Sequence, residues 1–227
     1  MKMINRKKYL IAYIILMVVP LLADGISLLL LPDVIPAHYG LGGEVDRFGS
    51  KFELFILPAC SVIMGILIFL CSKSSSKDET STKNNEKIVL ITGECCLVIF
   101  MILNFYMLYL AFNNITNIFD LKLDIGSVCC FLFGIIIIVI GNMLPKSKRN
   151  SMVGLRLPWT KSSDEIWKKS QHFGGIVSVI CGFLLLISAF IFKGLMAIIV
   201  LLSVNILTSI ICTVYTYIIS HNNIEKT

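Results

Sequence analysis

Long apolar runs separated by short polar segments set the pattern of this chain. Four runs stand out at once: Tyr9–Leu31, Leu54–Ser72, Ile88–Phe112 and Ile125–Pro145. Two more, Phe173–Phe192 and Leu195–Ile219, are parted by little more than Lys193-Gly194. A helix crosses a hydrocarbon core about 30 Å thick in roughly 20 residues, which is the length of each run. The pattern predicts an all-α integral membrane protein with six transmembrane helices, the last two forming a tight hairpin. Composition agrees, since 56% hydrophobic against 15% charged residues is too apolar for a soluble domain. The N-terminus MKMINRKKYL is basic like a signal peptide. The run behind it is longer than a signal core and lacks a small-x-small cleavage site, so it reads as a retained first helix.

Charge then orients the helices. With the N-terminus inside, the inner segments hold four, four, seven and one of the twenty Lys and Arg residues, and the outer segments hold only Arg47, Lys51, Lys122 and Lys193. The positive-inside rule therefore predicts that both termini are cytoplasmic. The same distribution argues against direct nucleic-acid binding, because the basic residues follow topology rather than one recognition helix. All eight cysteines lie inside apolar runs without CxxC spacing, and read as small packing residues rather than disulfides or metal ligands. No cofactor is implied. No HExxH, GxSxG or paired His/Cys arrangement is present and only three histidines occur, so the chain does not read as an enzyme.

The chain divides accordingly. Residues 1–72 carry two helices and a long outer loop, 32–53; residues 73–87 (KSSSKDETSTKNNEK) form a solvated, flexible inner linker; residues 88–227 form a four-helix region. The outer loop LPDVIPAHYGLGGEVDRFGSKFE is rich in Pro and Gly and is predicted to be an ordered extracellular cap built from turns. Its polar groups His38, Glu44 and Asp46 match no standard metal spacing, leaving turn chemistry or a peptide-recognition surface. The next outer loop, Asn113–Asp124, carries no distinctive chemistry. Two ionisable residues fall within the spans, Asp24 near the outer end of the first and Glu94 near the inner end of the third. Their depths differ by roughly 15 Å, so they do not pair; Asn142 lies at a depth to partner Glu94. They read either as locally satisfied groups or as an ion relay.

The densest chemistry lies in 141–175, GNMLPKSKRNSMVGLRLPWTKSSDEIWKKSQHFGG, which holds both tryptophans and seven basic residues. Pro145 is predicted to end the fourth helix. Val153–Trp159 is too short to span and too apolar for full solvation, so it is predicted to lie in the membrane interface, anchored by Trp159. Ser162-x-x-Glu165 is a capping-box pattern that predicts a separate short helix over 163–172, with Ile166 and Trp167 facing the membrane. Arg156 is placed to hold a carboxylate, a phosphate or helix-end carbonyls.

These residues resemble the SdpI family of bacterial membrane proteins. The resemblance rests on Gly141-Asn142, Leu144-Pro145-Lys146, Asn150, Gly154-Leu155-Arg156-Leu157-Pro158-Trp159-Thr160, Trp167 and Gly174-Gly175. Leu157 stands where the family usually has threonine, and Gln171 where it usually has histidine, with His172 one place later. In the outer loop, Pro36-x-His38-Tyr39, Gly43, Asp46 and Phe48-Gly49-Ser50-Lys51 are similar to the DUF1648 region that often precedes SdpI. The resemblance implies a bacterial cell-membrane immunity protein that protects against a secreted antimicrobial peptide toxin. It also implies a receptor that sequesters a cytoplasmic transcriptional repressor. On that reading His38, Tyr39, Glu44 and Asp46 would meet the peptide. Asn142, Asn150, Gly154, Arg156, Pro158, Trp159 and Trp167 would form the cytoplasmic structural or partner-binding motif. The competing reading is a small ion-coupled carrier using Asp24 and Glu94, although inverted repeats and Gly/Pro-broken helices are absent from the sequence.

Overall fold

The computed structural model describes residues 5–72 and 79–224. It is mostly helical: α1 (Arg6–Ser27), α2 (Ile56–Cys71), α3 (Glu79–Phe112), α4 (Ile125–Met143), α5 (Asp164–Ile191) and α6 (Gly194–Ile224). Six segments are long and apolar enough to cross a membrane: Arg6–Ser27, Lys51–Cys71, Asn84–Phe112, Ile125–Lys146, Asp164–Ile191 and Gly194–Asn222. Their outer faces carry large apolar side chains such as Ile26, Leu67, Ile187 and Leu207, all more than half exposed, as a lipid-facing surface requires.

The helices form two groups, α1–α3 and α4–α6, joined mainly through α3 and α4. In the first, Tyr13 on α1 is fully buried against Leu90 and Leu97 of α3, and its hydroxyl donates to Leu90 O at 2.9 Å. In the second, α4 and α5 approach until backbone meets backbone. A Cβ at Gly141 would lie 2.9 Å from Gly175 O, and one at Gly134 2.9 Å from Gly182 O. Only glycine permits this spacing; in lipid, where burial of apolar surface between helices supplies no drive, close packing is a main source of association.

Three predicted boundaries shift. The helix expected to begin at Ile88 begins at Glu79, so residues 79–87 of the segment 73–87 read as a flexible linker are helical; 73–78 lie outside the described residues. The separate short helix over 163–172 is the first part of one continuous α5. Its N-cap is Ser163, whose hydroxyl accepts from Ile166 N at 3.2 Å, rather than Ser162, whose hydroxyl donates to Trp159 O. The outer loop is not built of turns alone. It is an antiparallel hairpin, β1 (Val34–Tyr39) with β2 (Val45–Ser50), so the fold is not purely α.

Candidate functional site

The candidate residues separate to opposite ends of the bundle. At one end stands the hairpin. Its root packs into an apolar core in which Ile35 meets Leu31, Leu54, Leu108 and Ala111, joining the strand to α1 and α3. Arg47 and Glu53 form a bidentate ion pair at 3.0 and 2.7 Å, and Lys51 pairs with Asp33 at 3.0 Å. The turn closes through Gly43, whose φ of +82° suits glycine, and whose carbonyl accepts from Ile118 N at 2.8 Å. Val45 N donates to Thr116 O at 2.9 Å, and Glu44 forms a backbone bridge with Asn117. The hairpin is thereby stitched to the α3–α4 loop.

Of the residues predicted here, His38 and Asp46 pair at 2.6 Å, and both remain more than half exposed. Glu44 is exposed beside the bridge. Tyr39 instead points into the structure, its hydroxyl donating to Ile115 O at 2.9 Å; burial pushes that phenol above its usual range and keeps it a donor. An apolar cavity of about 470 Å³ opens beside the hairpin, lined by Leu30, Val34, Phe48 and Phe112, with Ile35 and Ala111 at its base. Phe48 and Val34 are exposed at its mouth. Among the described residues no group of three His, Cys, Asp or Glu is placed to hold a metal ion.

The α3–α4 loop has more chemistry than its sequence suggests. Asp124 is fully buried and caps α4, accepting from Gly126 N at 3.0 Å and Ser127 N at 3.2 Å through Oδ1, and from the Ser127 hydroxyl at 2.6 Å through Oδ2. The same Oδ1 accepts from Gly194 N at 2.8 Å, which fixes the α5–α6 turn. An aspartate before an apolar run is a helix-start signal, so this residue was readable as a cap.

The other end holds the motif loop between α4 and α5. Gln171 on α5 is fully buried and grips Leu155 twice, accepting from its N–H at 2.9 Å and donating to its carbonyl at 3.1 Å. Gly154, at φ +102°, brings the backbone into that grip; a Cβ there would lie 2.4 Å from Gln171 Oε1. Asn150 ties the preceding turn, accepting from Met152 N and Val153 N at 2.7 Å each. Asn85, buried on α3, accepts from Lys148 N at 2.9 Å and donates to Lys148 O at 3.1 Å. A single primary amide can satisfy one backbone donor and one acceptor, which explains its repeated use here.

Several predicted placements change. Trp167 and Ile166 are buried inside the protein, 2% and 4% exposed, because the motif loop folds over the start of α5; Trp167 Nε1 donates to Ser147 O at 3.1 Å. Trp159, partly buried, packs edge-on against Tyr217 and donates to the Thr216 hydroxyl at 3.1 Å, so it docks the loop on α6. Arg156 is exposed and donates to the carbonyl of Ser151. Pro158 is exposed and precedes the turn at Trp159–Lys161. Asn142 donates to Ile138 O of its own helix at 2.8 Å and does not bond Glu94. Asp24 is buried and accepts from Asn104 of α3 at 2.9 Å. Sequence reasoning missed Asn104, Asn85 and Arg6. Arg6 stacks over Phe69 at 4.7 Å, pairs with Glu86 and donates to Phe69 O at 3.3 Å, joining α1, α2 and α3.

Comparison with known proteins bears out the resemblance read from the sequence. Residues 146–216 match the SdpI/YfhL protein family, and residues 15–62 match a domain of unknown function, DUF1648. The chain is 26% identical over 187 residues to Immunity protein SdpI of Bacillus subtilis (strain 168), covering 82% of this chain and 84% of that protein. It is also 51% identical over 43 residues to an uncharacterized protein of Archaeoglobus fulgidus, spanning 19% of this chain and about a quarter (24%) of that protein. No solved structure matches it.

Proposed function

We propose that this chain is a membrane immunity protein that protects its cell from a secreted antimicrobial peptide toxin. The observation that carries the reading is the similarity to Immunity protein SdpI over 82% of this chain, beside the family matches at residues 15–62 and 146–216. The hairpin end fits the role physically. Exposed Phe48, Val34 and Leu30 line its cavity, and the polar His38–Asp46 pair and Glu44 lie further along the same hairpin, a combination suited to an amphipathic peptide leaving the lipid. The positive-inside bias supports an extracellular hairpin and cytoplasmic termini. On this reading His38, Glu44 and Asp46 contact the toxin, while Tyr39 holds the strand that presents them. The motif around Asn142, Asn150, Gly154, Arg156, Pro158, Trp159 and Trp167 shapes the cytoplasmic face, which would be the surface read by a repressor if signalling accompanies immunity.

Expression in a sensitive bacterium, followed by challenge with a panel of secreted peptide toxins, tests the reading. Protection against a cognate peptide is expected, and Phe48→Asp should remove it without removing the protein from the membrane. Unchanged killing across the panel would overturn the proposal. Labelling of a Gly42→Cys variant by a membrane-impermeant thiol reagent in intact cells is expected if the hairpin is outside.

A further inference from the structure

At the end of the bundle opposite the hairpin, a cavity of about 500 Å³ opens between the end of α4, the start of α5 and the first part of α3. Lys146, Lys148, Arg149 and Lys168 line it, with Asp164 as the one acidic side chain among the described residues and Trp167 in its wall. Asp164 is already engaged by Arg149 Nε at 3.1 Å, and Arg149 also donates to Lys161 O at 3.1 Å. Among the described residues Lys146, Lys148 and Lys168 have no ion-pair partner.

Three ammonium groups around one concavity, with no ion-pair partner among the described residues, repel one another unless an anion joins them. Flexible lysine stems relieve part of such repulsion by swinging apart, and a mobile backbone would let their roots separate as well. Here the backbone is fixed. Asn85, fully buried, holds both the N–H and the carbonyl of Lys148, Ser147 accepts from Trp167 through its carbonyl, and Lys168 stands in the second turn of α5. Buried amide and indole groups thus position a basic cavity, which is larger than a single ion needs and within the range of small-molecule sites. Lysine recognises phosphate as a compact point charge with three donors.

We infer that this cavity is a binding site for a phosphate group of net negative charge, carried by an anionic lipid headgroup or by a soluble phosphate compound. Its place at the ends of α4 and α5, where spanning segments leave the hydrocarbon, makes both sources accessible.

Trp167 reports on the site. In a Trp159→Phe background it is the sole tryptophan, and its emission is followed with the protein in phosphatidylcholine nanodiscs. A shift on adding phosphatidylglycerol to the nanodiscs assigns a lipid headgroup; a saturable shift with inorganic phosphate in phosphatidylcholine alone assigns a soluble ligand. In either case Lys148→Gln with Lys168→Gln should raise the half-response concentration about tenfold or more. Lys7→Gln with Lys8→Gln, which removes the same charge from the same end of the bundle outside the cavity, should leave it unchanged. If the double cavity variant loses the ligand-free emission of the folded protein, Lys148→Gln alone is read, with an expected weakening of roughly fivefold. Absence of response to either ligand, or equal weakening in the cavity and control variants, would overturn the site.

Discussion

The two ends of the bundle solve the same problem with different materials. Each must fold a polar segment back over helix ends without leaving backbone groups unpaired. The hairpin does so backbone to backbone: strand pairs with strand, and Val45 and Gly43 extend the pairing to Thr116 and Ile118. The motif loop has little such pairing and relies on side chains, with Gln171, Asn150 and Asn85 each bonding two or more backbone groups. A side-chain clamp depends on the identity of a few residues. A backbone clamp depends on φ and ψ, and tolerates side-chain exchange wherever glycine is not required.

That contrast can be broken most sharply at Gln171. Gln171→Leu keeps the volume but strands both polar groups of Leu155 in a buried setting, and should cost about 3 kcal/mol, seen as a lowered midpoint of thermal unfolding in detergent. Gln171→His, which restores the residue common in the resembling family, can serve only one of the two groups directly and should lose less. At the hairpin the corresponding weak point is a glycine. Gly43→Ala forces a side chain onto φ +82° and places its Cβ 2.5 Å from the Phe119 ring. A cost of about 2 kcal/mol is expected, with faster hydrogen exchange at Val45 and Ile118 than elsewhere. Tyr39→Phe removes one hydrogen bond and should cost about 1 kcal/mol by the same unfolding measurement. The smallest effect is expected from His38→Ala, whose exposed ring supports little structure: the unfolding midpoint should not move, while protection against a cognate peptide should fall.

The six spans were legible because length and hydropathy are local properties, and Pro145 marked the end of α4 for the same reason. The hairpin was hidden by its own irregularity. Register shifts between Pro36 and His38, and again between His38 and Tyr39, erase the two-residue alternation that identifies a strand. Trp167 was misplaced because an apolar residue beside a membrane run reads as lipid-facing, whereas the loop that covers it is seen only in three dimensions. The amide pairs were out of reach altogether: Asn85 with Lys148 and Asp24 with Asn104 are 63 and 80 residues apart. Of the motif residues, those acting through backbone conformation, such as Gly154, stood out in the sequence. Gln171 stood out only as a departure from a resembling pattern, and proved to be the clamp itself.

The glycine contacts between α4 and α5 carry a mechanical consequence. Gly134 and Gly141 are spaced seven residues apart, as are Gly175 and Gly182, and the two pairs meet across antiparallel helices. Such a seam acts as a double dowel. Sliding one helix by a turn would bring bulkier side chains opposite at both points together, so the pair resists piston motion and transmits displacement as one stiff arm. Motion between the two helix groups is then expected as tilting or rotation of the α4–α5 arm against α1–α3, where the sparser α3–α4 contact forms the compliant joint.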